Sequence, residues 1–497
     1  MLILGGGASG VLMAAHLLAQ EAAGFRVTLV EGRNRPGRGL AYSTPDPDHL
    51  LNTRVHSMSA YPADPHHFHR GLKARPEGAG VTDRCFVSRA TYGAYLSDLL
   101  RPWADPRLVA TGQAEVGGSG ASSSASAPEF APQPHVPTPP QASRSGAPAS
   151  GAASAAGQTF TGGRLRFLAE NCTSLTERAD GVAAGLEGGR SLMGDYAVLA
   201  TGHVLPSPDP EGLLSDAWAV PEGIDPEARV VILGSGLSMV DQVLTLLKSG
   251  HRGEIVALSR RGQLPRPHAS GTPLAVAAEE VPFGAPVSRL WAWARGLARR
   301  AEAQGGTWRD AVDGIRPHVQ ALWRALPDDA RARFLRHGAT WWDVHRHRIP
   351  PASEARLSGA FLSGQLRLLR GAWRGVDRGG EGGIAVSYRP RGNSTTETIA
   401  AALVIDCRGI RRDPLANASP LIGDLLARGA ARIDPLSIGL DVDADCHVVG
   451  RDGRPSRRIH AIGPVSRAAF WEITAIPDIR VQTEALARRF AGAAVPA

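Results

Sequence analysis

Residues 2–19 read LILGGGASGVLMAAHLLA, and this stretch decides the fold. A short apolar strand runs into Gly5, Gly7 and Gly10 at GxGxxG spacing, and a helix with a broad apolar face follows. The first glycine makes the tight turn, the second admits a pyrophosphate, and the third lets helix and strand pack closely. The open N–H groups of the helix start then face the phosphates. A second strand, RVTLVEG, ends in Glu31, placed to accept both ribose hydroxyls of an adenosine. A lone glycine motif is weak; strand, glycines, helix, strand and acid together predict a dinucleotide-binding unit.

Further along, ARVVILGSGLSMVDQVLTLLKSG repeats the pattern with Gly234 and Gly236, while Met239 takes the third position. The next strand, EIVALS, ends in Ser259, Arg260 and Arg261 instead of an acid. A carboxylate there would repel a 2′-phosphate, whereas guanidinium groups attract one. Two units, the first ending in an acid and the second in arginines, predict FAD in the N-terminal unit and NADPH in the inserted one. The expected fold class is α/β: two Rossmann-like dinucleotide-binding domains with a helical insertion. VLATGH, with Gly202, reads as the crossover back to the first domain, and IHAIGPV, with Gly463, as a late strand close to the flavin.

The expected organisation is an FAD domain beginning at 1–111, a disordered low-complexity insertion at 112–157, and FAD-domain strands at 158–205. An NADPH domain follows at 206–409, and the C-terminal part of the FAD domain at 410–497. The insertion is Ser, Ala, Pro and Gly with almost no large apolar residues, so burial cannot offset the entropy of ordering it. Strand candidates RLRFLAENCTSLTER, GVAAGLEGG and DYAVLATGH are echoed by QLRLLRGAWRGVDR, GGIAVSYRPRG and AALVIDCRGI, which suggests one structural device used twice. Between the two series, Leu290, Trp293 and Leu297, then Val319, Leu322, Trp323 and Leu326, recur at helical spacing. Core packing is the plain reading of those tryptophans.

The net charge of +8 on 497 residues invites a nucleic-acid partner, but the arginines are scattered and no basic run alternates with aromatics. No nucleic-acid partner is expected. Nor is a membrane partner, since no run of 18 apolar residues occurs. The start MLILGGG has neither basic n-region nor cleavage site, so no signal peptide is expected, although a few residues before Met1 could be missing. Cys85, Cys172, Cys407 and Cys446 form no CxxC, which argues for reduced thiols in a cytoplasm and against a metal site. His66, His67 and His69, and His345 and His347, lack matching ligands and read as solvated surface.

At this point the sequence resembles the FAD/NAD(P)-binding family that includes FAD-dependent urate hydroxylases and aspartate N-monooxygenases. The resemblance rests on GRGLAYSTPDPDHLLNTRVHSMSA, FVSRATYGAYL, GSGLSMVDQVLTLLKSGHRGEIVALSRRGQLPRPH, WWDVHRHRIPP and WEITAIPDIRVQTEALA, and covers nearly the whole chain outside 112–157. It implies that the segment after the second strand wraps the FAD pyrophosphate, with Arg38 on pyrophosphate or ribose and Asn52 near the flavin or nicotinamide. It also implies that Pro477 and Asp478 start a helix whose amides favour the electron-rich edge of reduced flavin. The activity it implies is an NADPH-dependent monooxygenase that uses O2 to hydroxylate a small polar or nitrogen-bearing substrate. No triad or carboxylate pair is expected, because the cofactor carries the chemistry, and no catalytic side chain is assigned. Two other functions remain open: an NAD(P)H oxidase or dehydrogenase passing electrons to a quinone-like acceptor, and a non-catalytic flavin-binding redox sensor.

Overall fold

The computed structural model describes residues 1–33, 35–103, 163–203, 209–219, 223–409 and 414–494; the expected insertion at 112–157 lies outside the described residues. Two large sheets organise the chain. In the first, the strand Leu2–Leu4 lies between Val27–Val30 and Ala197–Leu199, all parallel. Leu165–Leu168 extends one side and Pro455–Ala461 the other, with His447–Val449 antiparallel at the edge. In the second, Val230–Leu233 lies between Ile255–Ser259 and Leu403–Asp406, again parallel. The central strands Leu2–Leu4 and Val230–Leu233 are fully apolar and buried along their length, as strands covered on both faces are. Burying each Val, Leu or Ile of such a strand contributes roughly 1.5–3 kcal/mol.

The repeated strand series is one device in two forms. In the second sheet a single 13-residue strand, Leu366–Arg378, does two jobs. Its first five residues run parallel to Ile255–Ser259, and from Gly371 onward it pairs antiparallel with Ile384–Pro390. In the first unit the same path is broken: Leu165–Leu168 stays in the main sheet, and Cys172–Glu177, Val182–Leu186 and Ser191–Gly194 form a separate three-stranded sheet. Both paths then return to a central position beside the first strand of their unit, as Ala197–Leu199 and Leu403–Asp406.

The Trp-rich part folds as helices Val287–Ala303, Trp308–Ile315, Val319–Ala325, Asp328–His337 and Ala339–Arg346. Leu297, Ile315, Val319, Trp323 and Trp342 form its core with Trp471, which comes from the C-terminal part of the chain. Trp323 stacks on Trp471 with ring centroids 4.6 Å apart and donates its indole N–H to the Ala468 carbonyl at 2.8 Å. Packing is therefore the main work of these tryptophans, and it also ties the helices to the first unit.

The polar segment 38–60 lies against the second dinucleotide unit. Asp46 pairs with Lys248 at 2.8 Å and Asp48 with Arg356 at 3.1 Å. Arg54 donates to the Ala269 carbonyl at 3.0 Å, and the Asn52 carbonyl accepts from His268 Nε2 at 2.9 Å. Too polar for a core and too patterned for a free loop, the segment is the seam between the two units.

Candidate functional site

The two glycine turns are built alike. Gly5 has φ +112° and Gly234 φ +118°, a region that L side chains rarely adopt. A Cβ on Gly5 would run into the Ala200 carbonyl, and one on Gly234 into the Cys407 carbonyl. Each turn is thus pressed against the end of the neighbouring parallel strand. Gly10 packs on the Gly5 carbonyl too closely for any side chain, while in the second unit Met239 takes the corresponding place and is fully buried. The middle glycines are the open ones: a Cβ on Gly7 would meet only Gly39, at 3.6 Å, and one on Gly236 would meet nothing within 4 Å. Neither helix Ala8–Leu18 nor helix Leu237–Lys248 has a side-chain cap at its N-terminus. Their first-turn N–H groups remain available to an anion.

Around the first turn, Glu31 Oε2 accepts the Gly6 N–H at 2.9 Å and Oε1 the Arg33 N–H at 3.2 Å. The loop thereby fixes the carboxylate where a ribose diol would reach it. Arg38 sits in the turn after the second strand, its carbonyl accepting the Tyr42 N–H at 3.0 Å and its stem passing close to Gly93. Gly463 lies against Ser9 at the start of the first helix, and its N–H donates to Gln482 Oε1 at 2.8 Å. Gly202 lines a cavity of about 290 Å³ with Arg33, Thr201, His203, Pro464 and Arg467. These residues fit a dinucleotide: an open glycine cradle, an uncapped helix start and a fixed acid converge on one strand end.

A cleft of about 660 Å³ opens over the second turn, lined by Gly234, Gly236, Ser259, Arg260, His347 and Trp373 among others. His203 and Arg467 line both this cleft and the smaller cavity, so the two spaces adjoin there. Burial, reinforced by Arg467, lowers His203 to about 4, and burial with Arg346 nearby does the same to His347. Both imidazoles are neutral at ordinary pH. His347 therefore belongs to the cleft and is not solvated surface, and His67 bonds the Tyr95 hydroxyl at 2.8 Å.

Arg261 has another employment. Its guanidinium donates to the carbonyls of Arg336 and His337 (the latter at 3.0 Å), the last residues of helix Asp328–His337. It serves as a C-terminal cap, where a cation satisfies carbonyls that have no partner within the helix. Asp478 does lie in the first turn of helix Ile476–Ala494, and its carboxylate pairs with Arg316 at 3.2 Å. Burial raises the Asp478 carboxyl above its ordinary value despite that arginine. The side chain of Asn52 makes no hydrogen bond among the described residues.

A buried charged cluster beside this junction escaped the reading of the sequence. Glu472, at φ +67°, accepts from Arg346 Nε at 2.9 Å and from the Trp342 indole. Burial would raise its carboxyl, but the Arg346 and Arg316 guanidinium groups and the Trp342 indole N–H outweigh that and hold it below its ordinary value. Arg348 pairs with Asp313. Arg54, Arg346 and Arg348 each keep one buried guanidinium nitrogen without a hydrogen-bond partner among the described residues. The segments WWDVHRHRIPP and WEITAIPDIR supply most of this cluster, so the signal was present, but only as a pattern without roles.

Residues 2–116 match a protein-family model described as FAD-NAD(P)-binding. No curated protein matches the chain in sequence. Solved structures match along its whole length. The ornithine hydroxylase of Pseudomonas aeruginosa, in its reduced form, aligns with TM-score 0.58 and 15% identity, over 99% of this chain and 98% of that one. The ornithine N-hydroxylase of Kutzneria sp. 744, solved with reduced FAD, NADP+ and L-ornithine, gives TM-score 0.59 and 13% identity, over 98% of each. L-lysine 6-monooxygenase of Pseudomonas syringae gives 0.57 and 16%, over 100% of this chain and 99% of that one. At such identities the likeness establishes the fold, the mixed α/β architecture of these flavoprotein monooxygenases.

Proposed function

We propose that this protein is an FAD- and NADPH-dependent monooxygenase that hydroxylates a small polar, nitrogen-bearing substrate. The observation that carries the reading is the junction at His203 and Arg467, where the cavity beside the first glycine turn meets the cleft over the second. Bound FAD would supply the redox and oxygen-transfer chemistry, with NADPH as the source of electrons and O2 as the source of the oxygen atom. The chain's own part is binding and exclusion. Gly5 to Gly10 and Arg38 hold the pyrophosphate, Glu31 the ribose, the helix beginning at Ile476 serves the flavin edge, and Asn52 lies near the flavin or nicotinamide. Gly202 and Gly463 line the approach. Gly234, Gly236 and Arg260 hold the second nucleotide. The protein works in the cytoplasm, in keeping with its four free thiols; among the described residues no helix is long and apolar enough to cross a membrane.

The spare donors of Arg54, Arg346 and Arg348 favour a substrate with an acidic group. Amino acids, such as the ornithine and lysine for which structural neighbours are named, and urate-like purines, as in the resemblance, both meet that description. The test is NADPH and O2 consumption by the FAD-loaded enzyme across purines, amino acids and amines, with products identified by mass. Coupled formation of a hydroxylated product is expected for one class. Peroxide formation with no hydroxylated product from any of them would favour an oxidase, and absence of NADPH turnover a sensor.

A further inference from the structure

Arg260 belongs to a second cavity as well. A space of about 760 Å³ shares Arg260, Arg261, Gln263 and Thr340 with the cleft over the second glycine turn, and is completed by Arg336 and Arg391 among others. Among the described residues no carboxylate lines it. Some arginines of the chain have carboxylate partners: Arg229 and Arg367 share Glu254, and Arg300 takes Glu280. The side chains of Arg260, Arg336 and Arg391 have no hydrogen-bond or ion-pair partner among the described residues, and Arg261 is committed to the helix end. Three like charges line one space with no offsetting carboxylate among the described residues.

The space lies where a 2′-phosphate would arrive. In a parallel dinucleotide unit the adenosine ribose rests at the C-terminal end of the second strand. Here that end is Ser259, whose neighbour across the sheet is Arg370. The Arg391 N–H donates to the Arg370 carbonyl at 2.8 Å, so the hairpin turn after Ile384–Pro390 begins one strand beyond the ribose position. Ser259 itself holds the loop, its hydroxyl 2.9 Å from Ser235 Oγ, which also donates to the Gln263 carbonyl.

We propose that Arg260, Arg336 and Arg391 together form the seat of the nicotinamide nucleotide's 2′-phosphate, with Arg336 and Arg391 as specificity-determining residues. The proposal rests on the reading of the second unit as an NADPH site, and replaces Arg261 by two residues remote in sequence. Exposed guanidinium contacts of this kind are worth about 1.5 kcal/mol, the low end for charged hydrogen bonds, or roughly tenfold in binding each.

The test is equilibrium binding of 2′,5′-ADP and of 5′-AMP to the FAD-loaded protein, using Arg391→Ala, Arg336→Ala, Arg260→Ala and the capping control Arg261→Ala. Arg336, Arg391 and Arg260 are all exposed, so the variants are expected to fold, which the flavin spectrum checks. The first three should each weaken 2′,5′-ADP about tenfold, leave 5′-AMP unchanged, and reduce the salt dependence of 2′,5′-ADP binding. Arg261→Ala should lower the melting temperature and spare the ratio of the two affinities. If Arg260→Ala alone changes that ratio, the three-arginine pocket is wrong while the NADPH site stands. If the wild type does not prefer 2′,5′-ADP over 5′-AMP, the NADPH reading fails and takes the pocket with it.

Discussion

His49 Nε2 lies 2.8 Å from Thr245 Oγ1, and this contact joins the two dinucleotide units through a run of hydrogen bonds with one consistent direction. The Thr44 hydroxyl, 2.7 Å away, donates to His49 Nδ1; His49 Nε2–H donates to Thr245; the Thr245 hydroxyl donates to Asp46 Oδ2 at 3.3 Å. Arg89 and Asp241 add an ion pair at 2.8 Å across the same seam. Thr245→Val keeps the shape and leaves the buried His49 nitrogen and Asp46 short of a partner. Denaturant unfolding should show a loss of about 1–3 kcal/mol, with flavin content at saturating FAD unchanged. An unchanged unfolding midpoint would mean that the seam contributes nothing.

The glycine turns separate space for folding from space for ligand. Gly10→Ala must push backbone against the Gly5 carbonyl, so a cost of about 1–3 kcal/mol and loss of flavin are expected together. A Cβ at Gly7 meets Gly39 at an ordinary contact distance, so Gly7→Val is expected to obstruct chiefly the pyrophosphate path, to fold and to purify colourless. Gly236→Ala should alter stability by less than about 0.5 kcal/mol and weaken the nicotinamide nucleotide alone. Flavin absorbance and melting curves on the three variants decide the matter. Full flavin in Gly7→Val would overturn the assignment of the first turn.

What the sequence disclosed follows from how local each signal is. Gly5, Gly7, Gly10 and Glu31 fall within one strand–turn–helix–strand unit, and such a unit is written in consecutive residues. The doubled strand series was visible for the same reason, although nothing in QLRLLRGAWRGVDR showed that one strand would serve two neighbours in opposite senses. Arg260 and Arg261 look equivalent in sequence, yet only the packing of helix Asp328–His337 shows that one of them is occupied. Arg391 lies some 130 residues further on, and Arg54, Arg346 and Glu472 come from three distant segments. Long-range convergence of charged side chains leaves no periodicity to read. His347 was misjudged for that reason: its surroundings are supplied by other parts of the chain.

Glu472 holds a strained backbone and a buried charge, and its role can be weighed by Glu472→Gln. The amide keeps the shape and one acceptor oxygen, which can still serve the Trp342 indole, but it removes the charge and turns the oxygen facing Arg346 into a donor. Breaking a buried pair in this way costs about 3–5 kcal/mol, measurable as a lower unfolding midpoint at pH 7. Because the folded-state carboxyl is held below its ordinary 4.5, its contribution is present above that value and lost as pH falls through the lower folded one. The difference between wild type and Glu472→Gln should therefore shrink below about pH 4.5. A gap that stays constant with pH would assign the effect to packing alone.

The neutral histidines set a second and higher acid limit. His16, His203, His268 and His347 are each lowered by burial to about 4, from an ordinary 6.5. Between those two values the unfolded chain takes up protons that the folded chain refuses, so stability is complete above about pH 6.5 and falls as pH drops toward 4. Each fully titrating group removes up to about 1.4 kcal/mol per pH unit in that window. Melting temperature should therefore decline steeply from pH 6.5 to 5, well above the range in which Glu472 titrates. His16 offers a local check, since its Nδ1 bonds Thr483 at 2.9 Å and its Nε2 the Ala60 carbonyl at 3.2 Å, away from the cleft. His16→Gln should cost stability at pH 7 and make the decline shallower by one group's share, without altering nucleotide binding. His203 and His347 differ in that they line the cleft. Bound nucleotide is expected to lift their values by its negative charge, so the decline should be weaker in the presence of saturating NADPH. A pH profile of melting that is flat from 7 to 5, with or without NADPH, would show that these imidazoles are already protonated or open to water in the folded protein.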